Sequence, residues 1–510
     1  MELFFPKNER SKISSRNNMK PVYKNFSKVE NLAKEQFFFS QGIMMENAAA
    51  ALEKSVLEAL NKTSKIAGGS SLQKIIIVCG AGNNGADGLA LARRLCPMLD
   101  VKVLLTAQPK TEEAKMQCKT ARAVGVDFID CFDEKCSYSV VVDCMFGTGF
   151  HGELDEKSKK LIQKLNQADA FKIACDVPSG LDKDGFGGKV VFCADETVCM
   201  GAIKLAHLSD FAKDFTGKLT IASLGICEEK LIQVKTPEAM LLEEKDIVPP
   251  ERKKKNVHKG NFGHLCVVVG EKPGAAVIAG TSALCFGCGL VTCVQFEDEC
   301  KKIIMSPELM ASNSFPENTN AVLLGSGLGR DLKRLKEAEK VLDFLYKMEK
   351  PSAVLDADFF YQEKLFQKLE ELNSLKNAKI LLTPHPKEFY NLIKECLDES
   401  VEFSQVVQNR FLYVQMFSKK FKNLVLVAKG AVTYIAKEDR IFICDGNAPS
   451  LAKAGSGDVL AGMCAALLAQ GYSDLDSAKT AVYLHAKAGR AFLPNYACTP
   501  LSLANCIAKI

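Results

Sequence analysis

The sequence has no strong excess of charge of either sign. Its 66 Lys and Arg residues nearly balance its 61 Asp and Glu residues, which leaves a formal net charge of +5 on 510 residues. Proteins that bind nucleic acid usually carry a larger and more clustered basic excess. The basic run at residues 252–255 is short, and we interpret it as a solvated surface. We therefore expect no nucleic-acid partner.

The sequence also lacks an apolar segment of the kind that exports or anchors a protein. No apolar run follows the basic N-terminal region to complete a secretory signal. Residues 273–296 are uncharged and long enough to span a bilayer, but Gly280, Gly287 and Gly289 interrupt them. We predict a buried helix, a glycine turn and a strand there. We expect a cytoplasmic protein with no membrane partner.

Cysteine is too sparse for a disulfide scaffold. The 20 cysteines are scattered through apolar runs, where cysteine behaves as a small hydrophobic residue. Cys285 and Cys288 form the only C-x-x-C pair in the sequence. That pair lies in an apolar run without a second pair, which does not favour a zinc or redox site. We expect reduced thiols, as in cytosolic proteins.

Short apolar runs alternate with helical patterns along most of the chain. This alternation predicts βαβ units on parallel sheets that helices cover on both faces. The fold class is therefore predicted as α/β in two domains. The strand candidates are residues 75–80, 101–105, 140–147, 171–180, 264–270, 321–329, 353–358, 379–386 and 423–430.

The composition changes at residues 227–257. Charge runs and Pro249-Pro250 in this segment predict an exposed linker. Met19 is a second candidate start, so we expect residues 1–18 to form a poorly ordered extension. The predicted domains are residues 19–226 and 258–510.

A glycine loop at residues 80–85, GAGNNG, matches G-x-G-x-x-G at a strand-to-helix turn. Taken alone, it suggests a dinucleotide site of the Rossmann type. Such folds place an acidic residue after the following strand to hold the ribose. Here the strand at residues 101–105 runs into Thr106-Ala107-Gln108-Pro109. A dehydrogenase is therefore not favoured.

Polar residues end several strands of the first half. Asn84 follows the first strand, Asp143 ends a later one, and Ser179 lies in the turn after the next. One such turn could be simple helix capping, but ligands bind beyond the carboxyl ends of parallel strands. The set therefore favours a site, and oxygen atoms from these three residues would suit a hard cation.

The sequence AGSGD at residues 454–458 precedes a long apolar pattern. Consecutive small residues expose backbone N–H groups at a helix N-terminus, where an anion is favoured. Asp458 beside a phosphate indicates a base that takes a proton from an attacking hydroxyl group. The alternative is an acidic first-turn residue that complements the helix dipole. The chain lacks a Walker A motif, which excludes a P-loop kinase.

The first half resembles the NAD(P)H-hydrate epimerase domain, which has a Rossmann-like three-layer α/β/α fold. The motifs are MENAA (45–49), GAGNNGADG (80–88), DCMFGTGFHG (143–152), DVPSGLD (176–182) and ADETVCMGAIK (194–204). The resemblance implies potassium on Asn84, Asp143 and Ser179, and it places Asp176 at the reacting ring as a catalytic residue. It implies that the hydrated nucleotide binds Asn83, Asn84, Gly85, Ala86, Asp87, Gly147, Thr148, Gly149, Phe150, His151, Gly152, Glu153 and Asp176.

The second half resembles the ribokinase-like NAD(P)H-hydrate dehydratase domain. The motifs are HKGNFG (258–263), GSGLG (325–329), LDAD (355–358), TPHPKEF (383–389) and KGAVT (429–433), together with AGSGD. The resemblance implies substrate near Ala275, Gly327, His385 and Asp458, with Asp458 as the catalytic base. It implies ADP, accompanied by magnesium, on Lys429, Gly430, Ala431, Val432, Thr433, Ala448, Ala454, Gly455, Ser456 and Gly457.

Together the two resemblances imply an enzyme that repairs hydrated NADH and NADPH, with a homo-oligomer expected. One domain would interconvert the R and S hydrates, and the other would dehydrate the S hydrate with ADP, giving AMP and phosphate. One alternative is a ribokinase-fold small-molecule kinase with a non-catalytic N-terminal binding domain. The polar set that includes Asn84, Asp143, Asp176 and Ser179 argues against a catalytically inert first half.

Overall fold

The computed structural model describes residues 19–67, 73–296 and 306–510. Two compact units divide the chain, Lys20–Ala239 and Met240–Ile510. The division falls within residues 227–257, and the predicted domain boundaries themselves remain predictions. In the part of the chain that is described, no helix is long and apolar enough to cross a membrane.

The N-terminal unit is built from alternating strands and helices. Its strands are β1 (Lys20–Tyr23), β2 (Lys74–Cys79), β3 (Asp100–Leu105), β4 (Asp127–Ile129), β5 (Val140–Cys144), β6 (Phe171–Cys175), β7 (Glu196–Met200), β8 (Ile203–Lys204) and β9 (Lys218–Ala222). Its α-helices are α1 (Phe26–Phe37), α2 (Gln41–Ala67), α3 (Asn83–Leu95), α4 (Glu112–Ala123), α5 (Glu156–Gln167) and α6 (Glu228–Val234).

A seven-stranded parallel sheet forms the centre of this unit, in the order β4-β3-β2-β5-β6-β7-β9. Both faces are buried, so β2 reads as a continuous apolar run. Ile75 and Ile77 belong to the core on one face, and Ile76 and Val78 to the core on the other. The α/β prediction is confirmed here. The strand order reverses between β2 and β5, where their two loops diverge to open a crevice.

The C-terminal unit is also built from alternating strands and helices, and its chain is longer. Its strands are β10 (Ala239–Leu241), β11 (His264–Val268), β12 (Leu290–Val294), β13 (Met310–Ser312), β14 (Ala321–Leu324), β15 (Ser352–Leu355), β16 (Lys379–Leu382), β17 (Leu424–Ala428), β18 (Val432–Lys437) and β19 (Arg440–Asp445). Its α-helices are α7 (Pro273–Cys285), α8 (Leu332–Lys347), α9 (Leu365–Ser374), α10 (Pro386–Cys396), α11 (Phe403–Gln408), α12 (Arg410–Lys420), α13 (Ser456–Ala469), α14 (Asp474–Arg490) and α15 (Pro500–Ile507).

The sheet of this unit runs β13-β12-β11-β14-β15-β16-β17-β18-β19-β10. The strands from β13 to β17 are parallel, and β18 is antiparallel to both of its neighbours. The uncharged segment at residues 273–296 forms α7, a turn at Gly287 and β12, as predicted. Helices α7 and α13 approach closely, because a Cβ atom at Gly462 would lie 2.2 Å from the Ala279 carbonyl oxygen. Every cysteine among the described residues is a free thiol, including Cys285 and Cys288.

Each unit has its own hydrophobic core. Residues 20–239 and 240–510, expressed separately, are therefore expected to fold independently, as a domain with its own hydrophobic core can. Each fragment should show native helical circular dichroism and a cooperative thermal transition. An insoluble fragment, produced beside a stable full-length chain, would contradict this expectation.

Candidate active sites

The N-terminal unit contains a cleft of about 700 Å³ at the carboxyl ends of its central strands. The beginnings of α1 and α2 and the loops after β2, β5 and β6 line most of it. The cleft thus lies where the strand order reverses, the general location of ligand sites in open α/β sheets. The predicted substrate residues that line it are Asn83, Asn84, Asp87, Gly147, Thr148, Gly149, Phe150, His151 and Asp176.

The other predicted substrate residues lie outside this lining. Gly85 and Ala86 are buried in the first turns of α3, and Gly152 and Glu153 are exposed. Gly85 has a packing role, because a Cβ atom there would lie 2.0 Å from the Gly80 carbonyl oxygen. The glycine loop therefore folds tightly onto the start of α3.

Asp143, Ser179 and Asn84 are joined in one hydrogen-bond network beside the cleft. Asp143 ends β5 and is fully buried. Its Oδ1 accepts hydrogen bonds from Ser179 Oγ at 2.7 Å and Met145 N at 3.1 Å, and its Oδ2 accepts one from Ser179 N at 2.8 Å. Phe146 N donates to Ser179 Oγ at 3.1 Å, and Asn84 Nδ2 donates to Phe146 O at 3.0 Å. The structure thus brings the three predicted cation ligands together.

The donors that surround Asp143 are all neutral. Burial raises the pKa of Asp143 to about 6, and the hydrogen bonds from Ser179 and Met145 oppose that rise. Asn84 donates from its amide nitrogen to Phe146 O, and no described residue donates a hydrogen bond to its Oδ1. A carboxylate, a hydroxyl and an amide oxygen form a set of hard ligands. Over residues 19–67, 73–296 and 306–510, no group of three or more His, Cys, Asp or Glu side chains is placed to hold a metal ion.

Asp176 follows β6 in a left-handed backbone conformation, with φ of 66°. Positive φ is uncommon for residues other than glycine and clusters at functional sites. Its Oδ1 accepts hydrogen bonds from Lys204 Nζ at 2.5 Å and from Met200 N at 3.1 Å. His207 Nε2 lies 2.6 Å from the Asp176 backbone oxygen. These contacts fix the carboxylate at the wall of the cleft.

Lys204 also sets the charge of Asp176, while His207 binds its backbone oxygen. His207 Nδ1 accepts a hydrogen bond from Lys204 N at 3.0 Å, so its Nε2–H donates to Asp176. Burial lowers the pKa of His207 to about 4, which keeps the imidazole neutral. Burial acts to raise the pKa of Asp176, but the charge and the hydrogen bond of Lys204 outweigh it and bring the pKa below its ordinary value. Asp176 is therefore an ionised carboxylate at neutral pH.

Lys204, His207 and Glu30 are functional candidates that the sequence alone did not predict. Lys204 is the last residue of the motif at residues 194–204. A lysine at the end of an apolar strand pattern was the one sequence feature that could have indicated its role. Glu30 lines the cleft from α1. In the sequence of α1, nothing distinguishes Glu30 from a glutamate on the solvent-exposed face of a helix.

Asp458 lies in the first turn of α13, directly after the turn at Gly455, where φ is 90°. Burial and the neighbouring charge of Asp356 raise the pKa of Asp458 to about 6. A hydrogen bond from Ser326 and the charge of Lys429 oppose that rise. The first N–H groups of a helix lack partners within the helix, so this turn offers both donors for an anion and a carboxylate.

Asp356 connects the strand-end loops around Asp458. It is buried, and its Oδ1 accepts hydrogen bonds from Lys429 Nζ at 2.9 Å and Thr383 Oγ1 at 2.8 Å. Ser326 Oγ donates to its Oδ2 at 3.1 Å. Asp356 belongs to the LDAD motif, but no role was predicted for it from the sequence. Its burial against three other loops depends on tertiary packing, which the motif does not reveal.

His385 is the N-cap residue of α10 and is held by the first turn of that helix. Its Nδ1 accepts hydrogen bonds from Lys387 N at 3.1 Å and Glu388 N at 3.3 Å. Its Nε2 lies 2.9 Å from Glu388 Oε1. The ring is therefore oriented on both sides, while its side chain remains 48% exposed. The exposed part of the ring leaves room for the predicted contact with substrate.

Gly327 and Ala275 lie against each other at the start of α7. A Cβ atom at Gly327 would be 2.9 Å from the Ala275 Cβ and 2.5 Å from the Lys272 carbonyl oxygen. Lys272 N donates to Gly327 O at 2.9 Å. Because Ser326 precedes Gly327 and bonds to Asp356, these two residues belong to the same strand-end region as Asp458.

Three stretches that hold the predicted nucleotide residues are connected by hydrogen bonds. Gly446 N donates to Ala431 O at 3.2 Å, which joins the β17–β18 turn to the loop that leads to Ala448. Ser456 Oγ donates to Leu451 O at 2.7 Å, which joins that loop to α13. Among the predicted residues, Val432 is fully buried in β18, and Thr433 follows it in the same strand. Gly430, Ala454 and Gly457 lie in the loops or at the helix start.

Comparisons with known proteins cover both units. The family description "YjeF-related protein N-terminus" matches residues 41–206, and "NAD(P)H-hydrate dehydratase" matches residues 265–509. The bifunctional NAD(P)H-hydrate repair enzyme Nnr of Helicobacter pylori is 38% identical over 490 residues, which are 95% of this chain and 98% of that protein. The Nnr enzyme of Coxiella burnetii is 33% identical over 444 residues, 82% of this chain and 85% of that protein.

One solved structure that resembles the chain is the ADP/ATP-dependent NAD(P)H-hydrate dehydratase from Bacillus subtilis, co-crystallised with ATP and Mg²⁺. It is 23% identical, covers 52% of this chain and 95% of that chain, and has a TM-score of 0.44.

Two α/β units, each with charged and polar side chains gathered beyond the carboxyl ends of its strands, define a two-domain enzyme of the α/β class. The similarity to curated relatives extends over nearly the whole chain. The chain belongs to the family of bifunctional NAD(P)H-hydrate repair enzymes.

Proposed function

We propose that the two units divide the repair of hydrated NADH and NADPH between them. The N-terminal unit interconverts the R and S hydrates, which carry a hydroxyl group at C6 of the nicotinamide ring. The C-terminal unit returns the S hydrate to NADH or NADPH, with ADP as the phosphoryl donor and AMP and phosphate as products. The observation that carries this proposal is the placement of Asp458 at a glycine-rich helix N-terminus near Lys429.

In the C-terminal unit, Asp458 takes the proton of the C6 hydroxyl group as its oxygen attacks the terminal phosphate of ADP. The first N–H groups of α13 and the ammonium group of Lys429 stabilise the charge on the phosphate. Phosphate is a much better leaving group than hydroxide, so its elimination restores the reduced nicotinamide ring. Asp356 is engaged by Lys429. Magnesium would therefore be held mainly by the phosphates of ADP, as is common for this ion.

In the N-terminal unit, Asp143, Ser179 and Asn84 would hold potassium beside the phosphates of the hydrated nucleotide. The cation would balance the buried charge of Asp143, which otherwise faces a second anion. The substrate would occupy the cleft along Asn83, Asn84, Asp87 and Gly147 to His151. Asp176 would lie at the reacting ring.

A direct test supplies each hydrate epimer with either ADP or ATP and follows the recovery of the reduced-nicotinamide absorbance. With ADP, we expect recovery from the S hydrate, and from the R hydrate after epimerisation. A stable phosphate ester without recovered absorbance would instead favour the small-molecule kinase. Faster recovery with ATP would change the phosphoryl donor but not the reaction.

The dehydratase should depend on pH through Asp458. A base must be deprotonated to accept a proton, and the pKa of Asp458 is raised to about 6. We expect kcat/KM for the S hydrate to rise with pH up to about 6 and then to level off. A carboxyl with an ordinary pKa of about 3.9 would give a flat profile above about pH 5, and that result would contradict the assignment.

Epimerisation should require a monovalent cation that acts through Asp143. Interconversion of the epimers, measured without ADP, should be faster in potassium than in cation-depleted buffer. Asp143→Asn should lose the response to potassium and lower the rate on the order of 10²-fold, the scale of a misplaced substrate. Dehydration of the S hydrate by the same variant is the control and should be unchanged. Equal rates with and without potassium would leave Asp143 with only a turn-capping role.

We also propose that the protein is cytoplasmic and homo-oligomeric, an assignment that rests on the family resemblance. Light scattering of the purified chain gives its mass directly, and a monomer would contradict the second part.

A further inference from the structure

Glu30 brings a carboxylate into the cleft from outside the segment that carries the family match. It lies on α1, whereas the match begins at residue 41. The start of α1 is anchored by Phe26, whose ring fills the space that a side chain at Gly201 would occupy. The Phe26 ring also lies 5.2 Å from Lys204 Nζ. Glu30 is one helical turn further on and lines the cleft.

The carboxylate of Glu30 is not paired with another described side chain. It forms no hydrogen bond or ion pair within the described parts of the chain. Its charged neighbours are Lys204 and Asp176 at the sheet edge, Lys34 on its own helix, and Asp87 on α3. Burial raises the pKa of Glu30, Lys204 and Lys34 oppose the rise, and Asp176 adds to it.

Glu30 and Asp176 enter the cleft from different elements. Glu30 comes from α1, and Asp176 comes from the loop after β6. A flat nicotinamide ring bound between these two elements would have one carboxyl group toward each face. Inversion at C6 requires oxygen to leave from one face and to be added at the other, so a proton-transferring group is needed on both sides.

We propose that Glu30 is a further catalytic residue of the epimerase, which protonates the C6 hydroxyl group on one face while Asp176 takes a proton from water on the other. This inference rests on the proposed epimerase function of the cleft.

The step balances without an oxidant or reductant. The carboxylic acid of Glu30 gives its proton to the C6 hydroxyl, the C6–O bond breaks, and water leaves as the N1 lone pair forms a C6=N1 double bond. A second water adds to C6 from the opposite face and gives a proton to Asp176, and the electron pair returns to N1. Glu30 is then ionised and Asp176 protonated, which is the state that catalyses the reverse inversion.

The test compares Glu30→Gln, Glu30→Asp and the control Glu35→Gln, an exposed glutamate on the same helix. Epimer interconversion is followed by chromatography without ADP, so that the dehydratase is idle. Glu30→Gln should lower kcat by about 10²-fold or more, with KM and the dehydratase rate nearly unchanged. Glu30→Asp should recover part of the loss, and Glu35→Gln should equal the wild type.

The pH profile separates catalysis from a purely structural role. The wild-type kcat/KM for epimerisation should fall at high pH as Glu30 loses its proton, and that fall should be absent in Glu30→Gln. If the wild type interconverts the epimers and Glu30→Gln does so at the same rate or with the same profile, the inference is overturned. If the wild type interconverts nothing, the proposed function itself fails.

Discussion

Asp458→Asn is expected to lose dehydratase activity by about 10²–10⁴-fold while it retains epimerase activity, because general-base catalysis contributes on that scale. The amide has nearly the shape of the carboxylate but cannot accept the C6 hydroxyl proton. The amide can still accept the hydrogen bond from Ser326, and the contacts of Asp356 with Lys429 and Thr383 do not involve the Asp458 side chain. The loss should therefore appear in kcat more than in KM. Recovery of absorbance from the S hydrate with ADP measures it.

The competing role for Asp458 is dipole complementation at a helix start. Asp476 provides a control, because it is also acidic, lies in the first turn of α14 and is paired with Lys479 and Ser473. Asp476→Asn should lower the thermal stability by about the same small amount as Asp458→Asn, and it should leave both activities intact. Near-normal dehydration by Asp458→Asn would remove this carboxylate from the mechanism.

The parts of the sites that sequence could predict are those that lie within a strand-end motif. Asn84, Asp143 and Ser179 follow three neighbouring strands, so a parallel sheet brings them together at one edge whatever the details of packing. The register supports this directly, since Val78 pairs with Asp143 across β2 and β5. The same reasoning placed Asp458 at a helix start with free N–H groups.

The residues that sequence reasoning missed act through packing between distant segments. Glu30 reaches the cleft only because Phe26 docks α1 at Gly201, a contact between residues far apart in the chain. Lys204 is 2% exposed and balances Asp176 in a buried pair, although lysine is rarely a core residue. The left-handed backbone of Asp176 is a tertiary constraint as well, because aspartate adopts it only where its surroundings impose it.

Asp176→Asn should abolish most epimerase activity, with a loss of about 10²–10⁴-fold, and leave dehydration of the S hydrate intact. Asparagine tolerates positive φ as well as aspartate does, so the backbone at φ 66° should be kept. The neutral amide cannot take a proton from water. It also leaves the ammonium group of Lys204 without its counter-charge, since Lys204 Nζ lies 2.5 Å from Asp176 Oδ1.

The control for Asp176→Asn is Asp195→Asn, which changes an aspartate in the same unit whose Oδ2 accepts a hydrogen bond from Lys172 N outside the cleft. That variant should epimerise at the wild-type rate. A variant Asp176→Asn with a raised KM and an unchanged kcat would show that this carboxylate only binds the ring. A fall in kcat at unchanged KM, with the potassium dependence retained, would instead assign the chemistry to Asp176. The cation would then be assigned to Asp143, because only the Asp143 variant would lose the response to potassium.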